Sequence, residues 1–559
     1  MKTRMLFTIF IQILAVLIVT ESCTTTPKAK EQRKGAQQEE FFKSVKSGDI
    51  AEVKRLIGEG ADVNWQGNDG WTVLLWASYQ GYQDIVQLLI EEGAHVNAQT
   101  NKKATALIIA SHHGYPEIVR LLADAGANMN AQDHNGVTAL ITALGAGNTE
   151  VAKLLIESEA DVNVKDNNGN TALIVASHQG NTEVVHFLVE EGADINAQDS
   201  EGRTALMLAL YEGHTEIAQF LIEKGTDINI QNKHGATTLI AASLHGHIEV
   251  VKLLIEKGAN VNAQNSLGYT ALIAASHHGH AEIAQILIKA GADIDVQDKE
   301  GRTALMRTLE FGHTEISQLL IEEGADIDAE LNEGWTALML ASEFGCTQVA
   351  KLLIEKGADI NVQGDEGATA LIAASQWGHL EIVELLIEEG AEVDIRDRQG
   401  ATALLLASGM GQREVVKLLI KAGADINAQT QKGATALVQA SYEGQSEVAQ
   451  FLIEEGADVN IQAVHGITAL MMASGKGHME ACKVLIDGGA NLDVKDINGR
   501  TALMHAVANG YPNVVKLLIE EGADLNAKDN EGFTALRRAY KAGHEEIVTL
   551  LMAAGAEYY

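Results

Sequence analysis

The sequence predicts an all-α solenoid of about 16 helix–helix–hairpin units. A Gly-x-Thr triplet recurs with a period of 33 residues, and a second glycine follows each triplet position after eleven residues. The 559 residues also contain only three prolines, which leaves few of the linkers that usually separate globular domains. A repeat of this length, present throughout the chain, indicates one continuous repeat architecture.

Composition and charge limit the function classes. Apolar residues make up 46% of the chain and charged residues 21%, which is enough apolar material for a folded core. The formal net charge is −35, from 41 Lys and Arg against 76 Asp and Glu. Because this surface would repel a polyanion, nucleic acid is not expected as a partner.

The N-terminus has the pattern of an export signal. Lys2 and Arg4 precede an apolar run from Met5 to Val19. At about 1.5 Å per residue, fifteen residues fall short of the roughly 30 Å hydrocarbon core of a bilayer. We therefore predict a signal peptide over residues 1–22.

A cysteine stands directly behind this run. Ser22-Cys23 resembles the cleavage box of bacterial lipoproteins, whose cysteine becomes the lipid-modified first residue, although Thr20 and Glu21 depart from that box. The resemblance implies a chain exported to a bacterial cell envelope, periplasmic or on the outer membrane or surface, with residues 23–36 as a lipid-anchored flexible tether. An ordinary cleaved signal, or an uncleaved anchor with an incidental cysteine, remains the alternative.

The first half of each repeat reads as a short helix. A threonine stands two residues after each triplet position, where it can cap a helix N-terminus, and Ala-Leu and an apolar residue follow it. The second glycine ends this helix. Only Lys103 replaces the triplet glycine, which otherwise occurs at Gly70, Gly136, Gly169, Gly202, Gly235, Gly268, Gly301, Gly334, Gly367, Gly400, Gly433, Gly466, Gly499 and Gly532.

The second half reads as a longer amphipathic helix and a hairpin loop. Pro116 and Pro512 occupy the same slot in two units, at the first helical position where proline is tolerated. The helix ends at Gly-Ala-Asp, with Glu159 as the one replacement of that glycine. Turn-forming Asp-x-Asn-x-x-Asp segments then connect to the next triplet.

The G-x-T, G-H and G-A-D-x-N landmarks resemble those of ankyrin repeats, whose units have the same length. The resemblance implies non-catalytic protein recognition on the concave and hairpin face. It places an N-terminal capping repeat at 37–69, fourteen repeats at 70–531 and a C-terminal capping repeat at 532–559. The family's T-P-L-H becomes Thr-Ala-Leu-apolar, so we expect Ile108, Ile141, Met207 and Met306 to pack where a histidine would form hydrogen bonds.

Few residues suggest chemistry. No catalytic or nucleotide-binding motif occurs in the chain, so we predict neither an enzyme nor a cofactor. Cys346 and Cys482 lie about four repeats apart, too far for a disulfide, and both should be free thiols, with Cys482 buried. We expect a monomer that binds one or more proteins and reaches the membrane through its N-terminal lipid.

The positions that the scaffold does not need are the candidates for partner binding. The slots before the second glycine carry large apolar side chains in four successive units, with two acids beside them and a tryptophan at a hairpin tip. These partner-binding candidates are Phe311, Phe344, Trp377, Met410, Glu310, Glu343 and Trp335. The alternative is that these side chains fold between the helices and tighten the stack.

Histidine and tyrosine fill the same slots in the N-terminal half. This second set of partner-binding candidates comprises Tyr79, His112, His113, His178, Tyr211, His245, His277 and His278. A metal- or small-ligand-binding envelope protein that uses these histidines is the competing function, and a structural spacer is a third. The histidines of the G-H slot, such as His313 and His379, are expected to be structural.

Overall fold

The computed structural model describes residues 29–558, with side chains described from residue 35. These residues form 32 α-helices in 16 pairs. The predicted signal peptide and Cys23 lie outside the described residues. Among the described residues the only β pairing is two isolated bridges, Gln66–Thr72 and Ala463–Ile467.

The described residues divide into two compact units, with the boundary between Asp227 and Ile228. The first unit contains α1 (Ala29–Ser47), α2 (Ile50–Gly58), α3 (Val73–Gln80), α4 (Gln83–Glu91), α5 (Ala106–His113), α6 (Pro116–Asp124), α7 (Ala139–Gly145), α8 (Thr149–Glu157), α9 (Ala172–Gln179), α10 (Thr182–Glu190), α11 (Ala205–Tyr211) and α12 (Thr215–Glu223).

The second unit contains ten helix pairs. They are α13 (Thr238–Leu244), α14 (Ile248–Glu256), α15 (Ala271–His278), α16 (Ala281–Lys289), α17 (Ala304–Glu310), α18 (Thr314–Glu322), α19 (Ala337–Glu343), α20 (Thr347–Glu355), α21 (Ala370–Trp377), α22 (Leu380–Glu388), α23 (Ala403–Gly409), α24 (Arg413–Lys421), α25 (Ala436–Glu443), α26 (Ser446–Glu454), α27 (Ala469–Lys476), α28 (Met479–Asp487), α29 (Ala502–Ala508), α30 (Pro512–Glu520), α31 (Ala535–Ala542) and α32 (Glu545–Ala553).

The predicted threonine caps are present. From α3 onward, each first helix follows a threonine whose hydroxyl oxygen accepts a hydrogen bond from the backbone N–H three residues later. At Thr270 this bond to the N–H of Ile273 is 3.2 Å long. Pro116 and Pro512 are the first residues of α6 and α30, as predicted.

Within each unit the first helix of a repeat packs against the first helix of the next, as α19 does against α21 and α23 against α25. The leucine of Thr-Ala-Leu is buried throughout, for example Leu338. The slot that holds a histidine in the resembled family is also buried, with Met207 and Met306 nearly inaccessible to solvent. Aliphatic packing therefore replaces the histidine, as expected.

The hairpins are held by side-chain acceptors. Asp199 is representative, because its Oδ1 accepts hydrogen bonds of 2.8 Å from the backbone N–H groups of Glu201 and Arg203. The N–H of Ser200 donates in turn to the carbonyl of Asn168 in the preceding hairpin. Successive hairpins within a unit are thus joined by backbone hydrogen bonds.

The ends of the chain carry polar surfaces. In the first repeat Lys43, Lys46, Asp49 and Lys54 are exposed, as a capping repeat requires. Helix α1 begins at Ala29, inside the stretch predicted to be a flexible tether. The physical reason is composition, since this stretch consists mainly of Ala, Lys, Glu, Gln and Arg, which favour helices.

Across residues 29–558 we find no helix that combines the length and the apolar character needed to cross a bilayer.

Candidate interaction surface

Four large apolar side chains are exposed on successive repeats of the second unit. Phe311, Phe344, Trp377 and Met410, here called the apolar ladder, are 51%, 46%, 50% and 48% exposed. The alternative in which they fold between the helices therefore does not describe the structure. Apolar side chains of this size, contiguous and half exposed, are typical of binding surfaces.

The local sequence explains why they project from the scaffold. Each one is the last residue of a first helix or the residue just after it, and a glycine with positive φ follows. Gly312 has a φ of 72°, a left-handed conformation that stops the helix at this point. The side chain before the glycine therefore stands at the helix terminus, beyond the buried face.

The two acids beside the ladder differ in their surroundings. Glu310 forms ion pairs with Arg302 and with Arg307, whose Nη1 lies 3.0 Å from its Oε2. The Glu343 carboxylate is half-buried and forms neither a hydrogen bond nor an ion pair with any residue in the range 29–558. Burial, together with the charge of Glu310, raises the pKa of Glu343.

A buried arginine pairs with Glu310. The side chain of Arg307 is only 9% exposed, and its guanidinium lies 2.6 Å from Asp298 and 2.8 Å from Glu300. It also lies over the ring of Tyr269, 5.2 Å from the ring centre. Sequence analysis did not single out Arg307. The available signal was an arginine in a first-helix slot that holds Ala274 and Leu340 in neighbouring repeats.

Trp335 is placed differently from the other aromatic candidates. It is half-buried rather than displayed at a hairpin tip, and its carbonyl accepts a hydrogen bond from the N–H of Leu331. Its ring lies so close to Gly364 that a Cβ there would be 3.1 Å from the ring. Trp335 therefore packs against the next hairpin of its own unit.

The histidines of the second unit lie near the start of the ladder. The ring centre of His277 is 4.3 Å from that of Phe311 and 4.6 Å from that of His278. Burial, with the charges of His278 and Arg307, lowers the pKa of His277. His245 and His278 are exposed, and the His245 ring centre lies 6.1 Å from that of His247.

The candidates of the first unit take part in internal contacts. Tyr79 packs edge-on against Trp71, Trp76 and His113, and His113 stacks on Tyr115. Burial lowers the pKa values of His112 and His113, and for His113 the charge of His112 adds to this effect.

Two further candidates lie in the same unit. His178 Nε2 lies 3.5 Å from Glu212 Oε1, and Tyr211 is half-buried. Within the portion of the chain that the structure covers, no group of three or more His, Cys, Asp or Glu side chains could hold a metal ion.

The G-H histidines join neighbouring repeats, as expected. Nε2 of His379 lies 2.9 Å from the carbonyl oxygen of Glu343, and Nε2 of His313 lies 3.2 Å from that of His277. Because a carbonyl can only accept, Nε2 is the donor in each pair. Gln445 makes the same bond to the carbonyl of Gly409.

Both described cysteines are free thiols. Cys482 is buried, which raises the pKa of its thiol to about 11. Cys346 is partly exposed, and burial also raises the pKa of its thiol. A poorly ionised thiol is a weak nucleophile, so neither environment favours cysteine reactivity.

A shallow groove in the second unit was not foreseen. It has a volume of about 350 Å³ and is lined in part by Met471, Met472, Lys476, His505 and Tyr511. Gly475 leaves it open, because a Cβ there would find no atom closer than 3.7 Å. The signal in the sequence was a glycine in a slot where most other repeats carry a larger side chain.

Comparison with known families supports the assignment of the helix–helix–hairpin repeats. The chain matches the family described as ankyrin repeats (3 copies) in overlapping segments that together span residues 41–559. A comparison with curated proteins finds no match. Given the helix–helix–hairpin repeats, their caps and this match over nearly the whole folded chain, the protein belongs to the ankyrin-repeat family.

Proposed function

We propose that this chain is a non-catalytic scaffold that binds a protein partner through the apolar ladder. Ankyrin repeats mediate binding to proteins, which supports the general function. The observation that carries the specific surface is the exposure of Phe311, Phe344, Trp377 and Met410 on four successive repeats. Exposed aromatic anchors of this kind supply much of the binding energy in protein interfaces.

The test is crosslinking and capture from the cells that produce the chain. Phe344→Ala and Trp377→Ala should each remove the specifically captured partner while circular dichroism and the thermal unfolding midpoint stay unchanged. Ile497→Ala is the matched control, because Ile497 is 63% exposed but lies outside the ladder. A captured set that is the same for the ladder variants and the wild type would contradict the proposal.

We further propose that the chain is exported as a monomer and held to a bacterial envelope by a lipid on Cys23. The supporting observation is the sequence Lys2 to Cys23, with its positive start, apolar run and terminal cysteine. Cys23→Ser should shift the protein from the detergent phase to the aqueous phase and abolish incorporation of radiolabelled palmitate. Detergent partition that survives this substitution would contradict lipidation.

A further inference from the structure

We infer that the apolar ladder recognises a polypeptide segment in which a lysine or arginine stands between apolar side chains, with the cation bound by Glu343. This inference rests on the proposed function and adds the chemistry of the partner. It depends on three features of the second unit, namely the electrostatics of Glu343, its aromatic neighbours and the spacing of the ladder.

The first feature is the unbalanced charge of Glu343. In the cluster around Arg307, two guanidinium groups, those of Arg302 and Arg307, face the carboxylates of Asp298, Glu300 and Glu310. Three carboxylates against two cations leave one negative charge before Glu343 is counted. Glu343 occupies the next rung and has no cation among the described residues. A half-buried carboxylate without a partner favours a cation supplied from outside.

The second feature is the aromatic character of the ladder positions next to Glu343 in the repeat register. Phe344 follows Glu343 directly, and Phe311 holds the equivalent position one repeat earlier. Both rings are about half exposed, so a long side chain can lie against them. An ammonium or guanidinium group next to aromatic faces gains a cation–π attraction, and its methylene stem covers apolar surface. Lysine and arginine satisfy the rings and the carboxylate together, whereas a small inorganic cation would leave the rings uncovered.

The third feature is the spacing of the rungs. Stacked helices pack at about 8–10 Å, so neighbouring ladder residues are expected at about that interval. A partner helix advances about 10.5 Å in seven residues and returns to nearly the same face. An apolar residue at every seventh position can therefore meet each rung in turn. A basic residue four positions after the first apolar residue falls between the rungs of Phe311 and Phe344.

The charge of the chain as a whole favours this partner. The net charge of −35 attracts a basic segment and repels an acidic one. A second copy of the chain carries the same large negative charge. We therefore assign the ladder to a different polypeptide that is basic along the docked face.

The test uses two synthetic helical peptides of about 26 residues with leucine at every seventh position. One carries a lysine four residues after its first leucine, and the other carries norleucine there. Binding of each labelled peptide to the full-length protein is measured by fluorescence anisotropy. The wild type should bind the lysine peptide about tenfold more tightly, as expected for a charge-assisted hydrogen bond.

Glu343→Gln should remove this preference, so that the two peptides bind with equal affinity. Glu443→Gln is the matched control, since Glu443 is an exposed acid in the repeat just beyond the ladder, and it should keep the preference. Trp377→Ala should lower the affinity for both peptides equally. An error in the assignment of the ladder can therefore be distinguished from an error in the assignment of the cation site.

Three results would overturn the inference. They are equal affinity of the wild type for the two peptides, a lysine preference that persists in Glu343→Gln, and no binding of either peptide. Light scattering that shows a dimer of the wild type, lost in Trp377→Ala, would assign the ladder to a second copy and overturn it as well. The proposed function itself is judged separately, by the crosslinking of Phe344→Ala and Trp377→Ala.

Discussion

At the scale of single residues, three of the described residues, Lys103, Glu159 and His465, occupy a backbone conformation that favours glycine. Lys103 has a φ of 59° and Glu159 a φ of 65°. Left-handed backbone costs a residue with a Cβ roughly 1–2 kcal/mol. The surroundings of Glu159 are open, because a Cβ at the equivalent positions Gly126 and Gly192 would meet nothing within 4 Å. At Glu159 the cost is therefore in the backbone alone.

We predict that Glu159→Gly raises the free energy of unfolding of its region by about 1 kcal/mol. Lys103→Gly should have a similar effect, because the backbone at Lys103 is also left-handed. The measurement is urea unfolding followed by circular dichroism. As a control, Glu157→Gly replaces the last residue of α8 by a weak helix former and should lower the free energy of unfolding. A lower unfolding midpoint for Glu159→Gly would show that the left-handed position carries no penalty.

Acidification should destabilise the repeats that contain His112 and His113. Burial lowers their pKa values in the folded state, so below about pH 6.5 the unfolded chain binds more protons than the folded chain. Stability is therefore lost as the pH falls through 6.5, where the unfolded histidines titrate.

We predict that the thermal unfolding midpoint decreases as the pH is lowered from about 7.5 to about 5.5. The double variant His112→Gln/His113→Gln should have a smaller slope of the midpoint against pH. The exposed His134 provides the control, and His134→Gln should keep the slope of the wild type. An identical slope in the double variant would assign the acid sensitivity to other groups.

At the scale of secondary-structure elements, a side chain just before many of the second helices forms a hydrogen bond to the preceding repeat. His379 begins this connection for α22 by donating to the carbonyl of Glu343 at the end of α19. That carbonyl belongs to the last turn of its helix, where no N–H group of the same helix can donate to it. The histidine thus satisfies a group that the local sequence leaves open.

We predict that His379→Ala lowers the free energy of unfolding by about 1 kcal/mol. His379→Gln should lose much less, because Gln445 makes the same bond at 3.3 Å in its own repeat. Hydrogen exchange of the amides in α19 and α22 measures the effect locally. If the alanine and glutamine variants behaved alike, packing rather than the hydrogen bond would explain this slot.

At the scale of the whole molecule, the net charge of −35 opposes folding through self-repulsion. Surface ion pairs, such as that of Lys252 with Glu249 and Glu282, add little stability because water and salt screen exposed charges. Screening by salt should therefore weaken the repulsion between like charges more than it weakens the attraction within ion pairs.

We predict that raising NaCl from about 10 mM to about 150 mM increases the thermal unfolding midpoint, as the Debye length falls from about 30 Å to about 8 Å. Potassium sulfate at the same ionic strength separates screening from binding of chloride. A midpoint that falls with salt would mean that ion pairs outweigh the net charge.

The repeat architecture could be predicted from the sequence because its causes are local. A threonine cap, a glycine with positive φ and the apolar face of a helix each act within a few residues, and the period of 33 residues repeats them. The exposure of Phe344 and Trp377 followed from the same register, because their slot lies at a helix terminus.

The detailed character of the candidate site depends on residues that are distant in the sequence. Glu310 and Glu343 occupy the same slot, yet Arg302 and Arg307 form ion pairs only with the first. Trp335 is half-buried because Gly364 of the next hairpin leaves room for its ring. Such differences arise when side chains meet across repeats, since burial and ion pairing depend on three-dimensional neighbours that no local pattern specifies.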